Sequence, residues 1–165
     1  MTTTKSKVTL VISGGQTGAD RGGLDAAIRL NIRTSGFCPA GRKAEDGMIP
    51  PRYPMVEMKS PHYPPRTRQN VEWGDGTVVF THGDPEKGSK LTLKIAREEG
   101  KPRLHINLDS CSDPVQVLKD WMERESITIL NVAGNRESVS PGIHDQVERV
   151  VFEALGGGNA THEAE

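Results

Sequence analysis

Apolar positions in this chain fall into short unbroken runs, and the stretches between them repeat at helical spacing. "VTLVIS" (Val8 to Ser13) is nearly continuous, the pattern of a strand buried on both faces, as in a parallel sheet. After a cluster of glycines, "GGLDAAIRLN" sets Leu24, Ala27, Ile28 and Leu30 at helical intervals. "IRTSGFC" (Ile32 to Cys38) reads as a second strand and "GTVVF" as a third. "RLHINL" and "SITILNVAG" supply a fourth and a fifth. Helical stretches separate them. "RTRQNVEW" precedes the third strand, and "SKLTLKIAREEG" follows it with Gly100 as its stop. "DPVQVLKDWMERE" has Asp113 as N-cap and Pro114 at its first position. "SPGIHDQVERVVFEAL" closes the chain's regular structure with Ser140 as cap. Strands alternating with helices predict an α/β fold: a single doubly wound, Rossmann-like parallel sheet flanked by helices. The expected domain runs over residues 8–155, with a flexible N-terminus at 1–7 and a flexible tail at 156–165.

One segment breaks the rhythm. "PAGRKAEDGMIPPRYPMVEMKSPHYPP", after the second strand, is rich in proline, glycine and charge. Its prolines restrict the backbone and favour an ordered excursion, with a short strand at Met55 to Met58.

Charge and cysteine content narrow the function classes. The 165 residues carry a formal net charge of −1, so no global basic field points to nucleic acid. Arg33, Arg42, Lys43, Arg52, Arg66 and Arg68 are nevertheless crowded into one third of the chain. The two cysteines, Cys38 and Cys111, form no CxxC or zinc spacing, and the histidines are dispersed. The opening "MTTTKSK" is polar and short, and no apolar run approaches the ~20 residues that span a bilayer. A reduced, cytoplasmic protein without membrane or nucleic-acid partners is expected.

Ligands of an open parallel sheet bind outside the carboxyl ends of its strands. Two of the loops selected by that rule carry clear chemistry. In "SGGQTGAD", Gly14, Gly15 and Gly18 let the backbone turn sharply at a helix N-terminus, while Gln16 and Thr17 add an amide and a hydroxyl. The combination predicts an oxyanion or phosphate receptor, although neither a P-loop nor GxGxxG is present. In "NVAGNRES", Gly134 permits close approach, Arg136 offers a forked donor, and Glu137 and Ser138 complete the loop. Arg66 and Asn70, four apart, share a helix face and with Thr67 form a candidate polar edge. "GSKLT" (Gly88 to Thr92) begins another helix and is a second candidate anion-binding turn.

Five blocks in register, "SGGQTGADRGGLDAA", "GFCPAGRKAEDGMIPPRYP", "YPPRTRQNVEWGDGTVVF", "GSKLTLKIAREEGKP" and "LNVAGNRESVSPGI", resemble the molybdenum carrier family, in the wider SLOG superfamily of Rossmann-like proteins. That superfamily is similar to the lysine-decarboxylase-like proteins, including cytokinin-activating phosphoribohydrolases. The resemblance implies binding of molybdenum cofactor (molybdopterin), or a related phosphate-bearing ligand, at Gly14, Gly15, Thr17, Gly18, Arg136 and Glu137. The pterin would rest against the insertion near Tyr53 or Tyr63. Asn135 and Phe37 stand where the family often has proline and tryptophan, and the phosphoribohydrolase signature PGGxGTxxE is missing. The resulting expectation is a binding protein rather than an enzyme, and by analogy of fold a homo-oligomer. Two alternatives stay open. One is a nucleoside-monophosphate N-glycosidase using Glu45, Asp46 or Glu137 as acid or base. The other is a nucleotide-sensing module.

Overall fold

The computed structural model describes residues 5–157. Residues 1–4 and 158–165, which hold most of the expected flexible ends, lie outside the described residues. Within the described part, Gly156 and Gly157 donate to the carbonyls of Glu153 and Phe152 and close the last helix.

In chain order the elements are β1 (Leu10–Ile12), α1 (Ala19–Arg29), β2 (Arg33–Ser35), β3 (Phe37–Cys38), a 3-10 turn (Ala40–Arg42), β4 (Lys43–Ala44), β5 (Gly47–Met48), β6 (Val56–Glu57), α2 (Tyr63–Trp73), β7 (Gly76–Thr81), α3 (Lys87–Glu98), β8 (Arg103–Asn107), α4 (Pro114–Arg124), β9 (Ile129–Gly134) and α5 (Ile143–Ala154). The main sheet has five strands in the order β2-β1-β9-β7-β8, and every pairing in it is parallel. β7 is buried along its whole length, as its uninterrupted apolar run requires.

The helices divide between the two faces. α1, α4 and α5 share one core with the sheet, including Leu118, Trp121, Val147 and Val151. α2 and α3 pack together on the other, around Val71 and Ile95. Adjacent strands β7 and β9 therefore send their following helices, α3 and α5, to opposite faces. Such a switch point leaves a crevice above the strand ends.

Local geometry differs from the sequence reading in three places. The expected strand Ile32 to Cys38 is split at Gly36: β2 joins the main sheet, whereas β3 pairs in parallel with β6. Ser140 does not cap α5. The helix is entered from Gly142 in the left-handed region, and the Ser140 hydroxyl is engaged by the Asn135 side chain. The insertion contains an antiparallel β4–β5 pair as well as the expected strand near Val56. Its order comes from Arg42, whose guanidinium donates to the carbonyls of Ile49, Pro50 and Tyr53. Ile49 and Tyr53 are buried against Leu24 and Cys38, a second apolar cluster that fastens the insertion to α1.

Asp113 accepts from the Gln116 amide at 3.2 Å and caps α4, with Pro114 first in the helix. Both cysteines are free thiols, Cys38 buried and Cys111 half-buried. Among the described residues no helix is long and apolar enough to cross a membrane.

Candidate ligand-binding cavity

A cavity of about 950 Å³ opens at the β7–β9 switch point. Volumes of roughly 300–1,000 Å³ are usual for small-molecule sites. One wall is the start of α2, with Tyr63, Arg66 and Thr67. A second is the turn after β7 and the first turn of α3, from His82 to Thr92. The third is the loop after β9, with Gly134, Asn135, Arg136 and Ser138, and Gln16 and Asp20 line the interior as well.

Positive charge gathers here around one aromatic ring. The guanidinium carbons of Arg136 and Arg66 stand 4.6 and 5.3 Å from the Tyr63 ring centre, and the Lys43 ammonium 5.6 Å from it. Among the described residues Arg136 has no ion-pair partner. Arg66 is half-buried, with little of its side chain exposed, and desolvation pulls its pKa down against the opposing charge of Asp20. That pairing is loose, at 3.7 Å, and the Arg66 Nε has no hydrogen-bond partner. No side chain caps the N-terminus of α3, whose first residues Lys87 and Gly88 face the same space. Partial positive charge and unpaired amides at such a terminus favour an anion.

Asp20 is the one fully buried carboxylate on this wall. Burial raises its pKa, while Arg66, the Gln16 amide and Arg136 pull it back down. Its place follows from helix periodicity: Asp20 precedes Leu24 and Ala27 by one and two turns, on the face of α1 that turns inward. That spacing was available in the sequence, as a charge on an apolar stripe.

The candidate residues separate into two groups. Gln16, Arg66, Thr67, Gly134, Arg136 and Ser138 line the cavity, and Tyr63 joins them. Gly14, Gly15, Thr17, Gly18, Asn70, Glu137 and Tyr53 do not. The turn Gly14 to Gly18 directs several of its hydrogen-bonding groups to the protein itself. Gly15 N donates to Ser13 Oγ, Gln16 N to Asp20 Oδ2 and Ala19 N to the Asn135 carbonyl. A Cβ on Gly14 would run into the Arg66 guanidinium, and one on Gly18, at φ 82°, into the Asn135 carbonyl. These glycines seat Arg66 and the β9–α5 loop.

The oxyanion that this turn meets belongs to the chain itself. Glu45 accepts from the Thr17 hydroxyl, and from the Ser138 hydroxyl and amide at 2.6 and 3.3 Å. Asp46 forms a bidentate pair with Arg21, at 2.7 and 2.9 Å. Glu137 accepts from the amides of Gly142 and His144 and so satisfies the start of α5. None of these three carboxylates lines the cavity. Asn70 brackets Phe37, accepting from its amide and donating to its carbonyl, which fixes β3 rather than a ligand. Thr67 lines the cavity but returns its hydroxyl to the Tyr63 carbonyl.

Fold and cavity define a class of protein: a Rossmann-like domain with a cavity of charged and polar side chains at its switch point. Residues 11–155 match the circularly permutated YpsA SLOG family, and the chain belongs to that family. It is similar to the crystal structure of a Putative molybdenum carrier protein from Syntrophus aciditrophicus SB. Identity is 40%, coverage is 93% of this chain and 98% of that one, and the TM-score is 0.88. No curated protein matches the chain.

Proposed function

We propose that the protein binds and carries a phosphate-bearing, nucleotide-like small molecule in the β7–β9 cavity, with molybdenum cofactor as the first cargo to try. The observation that carries this reading is the pair of guanidinium groups, Arg66 and Arg136, over Tyr63, Arg136 without an ion-pair partner among the described residues and Arg66 only loosely paired at 3.7 Å, although Asp84 and Glu86 also line the cavity. Arg136, Lys87 and the open start of α3 take the phosphate; Gln16, Thr67, Gly134 and Ser138 shape its surroundings. Gly14, Gly15, Thr17 and Gly18 act one layer behind, by setting the positions of Arg66 and the last loop. In molybdenum cofactor the metal is held by the pterin's own dithiolene, so the cargo asks for phosphate and ring contacts rather than protein metal ligands. The 40%-identical neighbour is named as a molybdenum carrier protein, which supports a molybdenum-related ligand. Cytoplasmic location and a homo-oligomeric state belong to this proposal, and light scattering on the purified chain checks the second.

Ligand-dependent stabilisation provides the test. A ligand that binds only the folded state at 100 times its Kd adds about 2.7 kcal/mol. Thermal denaturation with nucleoside monophosphates and inorganic phosphate, alongside mass spectrometry of small molecules released from the native protein, is expected to reveal such a ligand. Arg136→Ala should weaken it at least tenfold while leaving the unliganded melting temperature nearly unchanged. Equal stabilisation of Arg136→Ala and wild type would remove the cavity from consideration.

A further inference from the structure

Only two buried side-chain atoms among the described residues have no hydrogen-bond partner, Gln16 Oε1 and Arg66 Nε. Both belong to residues that line the same cavity, and Asp20 lies between them in the network. Gln16 is held by its other end, with Nε2 donating to the Lys43 carbonyl at 2.9 Å, which fixes Oε1 as the unpaired acceptor. Asp20 uses Oδ2 both to accept from the Gln16 amide and to face Arg66. Its Oδ1 has no hydrogen-bond partner among the described residues. Buried polar groups are otherwise nearly always paired, because an unpaired one loses its hydration without replacement. One buried unpaired acceptor, Gln16 Oε1, and one buried unpaired donor, Arg66 Nε, lie on one wall, with the free Asp20 oxygen beside them.

We propose that the wall formed by Gln16, Asp20 and Arg66 recognises a planar 2-amino-4-oxopyrimidine edge, the edge that guanine and pterin rings share. This deepens, and rests on, the reading of the cavity as a site for a phosphate-bearing ligand. Such an edge presents an exocyclic amine, a ring N–H and an oxo group in a row. The amine and ring N–H are donors for Asp20 and Gln16, and the oxo group is an acceptor for Arg66. An adenine edge offers an amine beside a bare ring nitrogen and leaves one of the protein's acceptors facing an acceptor. A hypoxanthine edge keeps the oxo group and ring N–H and lacks the amine. The carboxylate has a clear purpose on this reading. Beside a bound phosphate it would only repel, whereas against the heterocycle it pairs with donors. The ring therefore enters first, towards α1, and the phosphate stays with Arg136 and the start of α3.

Three nucleotides with the same phosphate separate this edge from simple anion binding. GMP, IMP and AMP are titrated calorimetrically into the wild-type chain and into Asp20→Asn, at one salt concentration. GMP is expected to bind at least about tenfold more tightly than IMP or AMP, the size of effect that one unmatched polar group produces. Asp20→Asn, whose amide would turn a donor towards the ring, should bring GMP to within about threefold of IMP and leave IMP binding unchanged. Asp20→Ala, which removes the amine's acceptor without adding an amide, provides the same comparison where Asp20→Asn fails to fold; Gln16→Met, which removes the acceptor of the ring N–H that GMP and IMP share, should weaken both alike. Equal affinity of wild type for all three nucleotides, or a GMP preference over IMP that survives loss of the Asp20 carboxylate, overturns the edge and leaves the phosphate reading intact. No binding of any of the three overturns both.

Discussion

The loop after β1 and the loop after β9 both leave the carboxyl edge of the sheet, both contain glycine, and both open a helix on the same face. They do different work. In the first, the glycines let other groups come close: Arg66 lies against Gly14 and the Asn135 carbonyl against Gly18, so the turn is filled by protein. In the second, Arg136 and Ser138 stay at a cavity wall. A missing Cβ makes room, and the sequence does not say for whom. A glycine that admits a phosphate and one that admits a neighbouring carbonyl look the same in a single chain.

The sharpest way to break this contrast is at Gly18. Its φ of 82° and its contact with the Asn135 carbonyl leave no space for a side chain. Gly18→Val should cost about 3 kcal/mol or more in urea unfolding, from strained backbone and overpacking together. A loss under 1 kcal/mol would mean that the two loops are not held together there. Gly14→Ala is milder, since no positive φ is involved and the group displaced is a side chain. We expect about 1–2 kcal/mol of lost stability, with at least tenfold weaker binding of the cavity's ligand, because Arg66 has to move. Unchanged ligand binding in a folded Gly14→Ala would separate Arg66 from recognition.

Smallest of all is the effect at Glu45, the chain's own anion in the first loop. Partial burial pushes its pKa up, the largest single influence, but hydrogen bonds from Ser138 and Thr17 and the charge of Arg136 together hold it below the ordinary glutamate value. A depressed carboxylate contributes stability above its unfolded pKa, about 4.3, and that contribution is lost as pH falls through the lower folded value. Glu45 is exposed, so the contribution is below about 1 kcal/mol. Glu45→Gln should therefore lower stability at neutral pH by that small amount and flatten the acid limb of the stability curve below about pH 4.3, the two curves converging at low pH. An acid limb identical to wild type would show that the carboxylate's bonds to the two loops do not persist in solution.

Much of the fold was legible in the apolar runs. Buried strands such as Gly76 to Thr81 are continuous, and their alternation with amphipathic helices specifies a parallel sheet and its binding edge. The insertion was legible only as ordered, because strands of two residues have no periodicity to read and their stability comes from Arg42 and Tyr53 at a distance. For the site, arginines at 66 and 136 were recognisable as donors without carboxylate neighbours at helical spacing. Asp20 passed unnoticed within a glycine motif, although its register with Leu24 and Ala27 placed it inside. Glu137 looked like a ligand group in the sequence and serves the amides of α5, a choice decided by a turn whose shape depends on Gly142.

Arg66 keeps most of its charged side chain out of water, and Asp20, at 3.7 Å, pairs with it only loosely. If the proposed anion binds beside Arg66, it relieves the cost of keeping that charge from water, and occupancy and longevity become linked by mass action. Empty chains would then unfold more often and meet proteases sooner, so the standing amount of this protein should rise and fall with the supply of the proposed ligand.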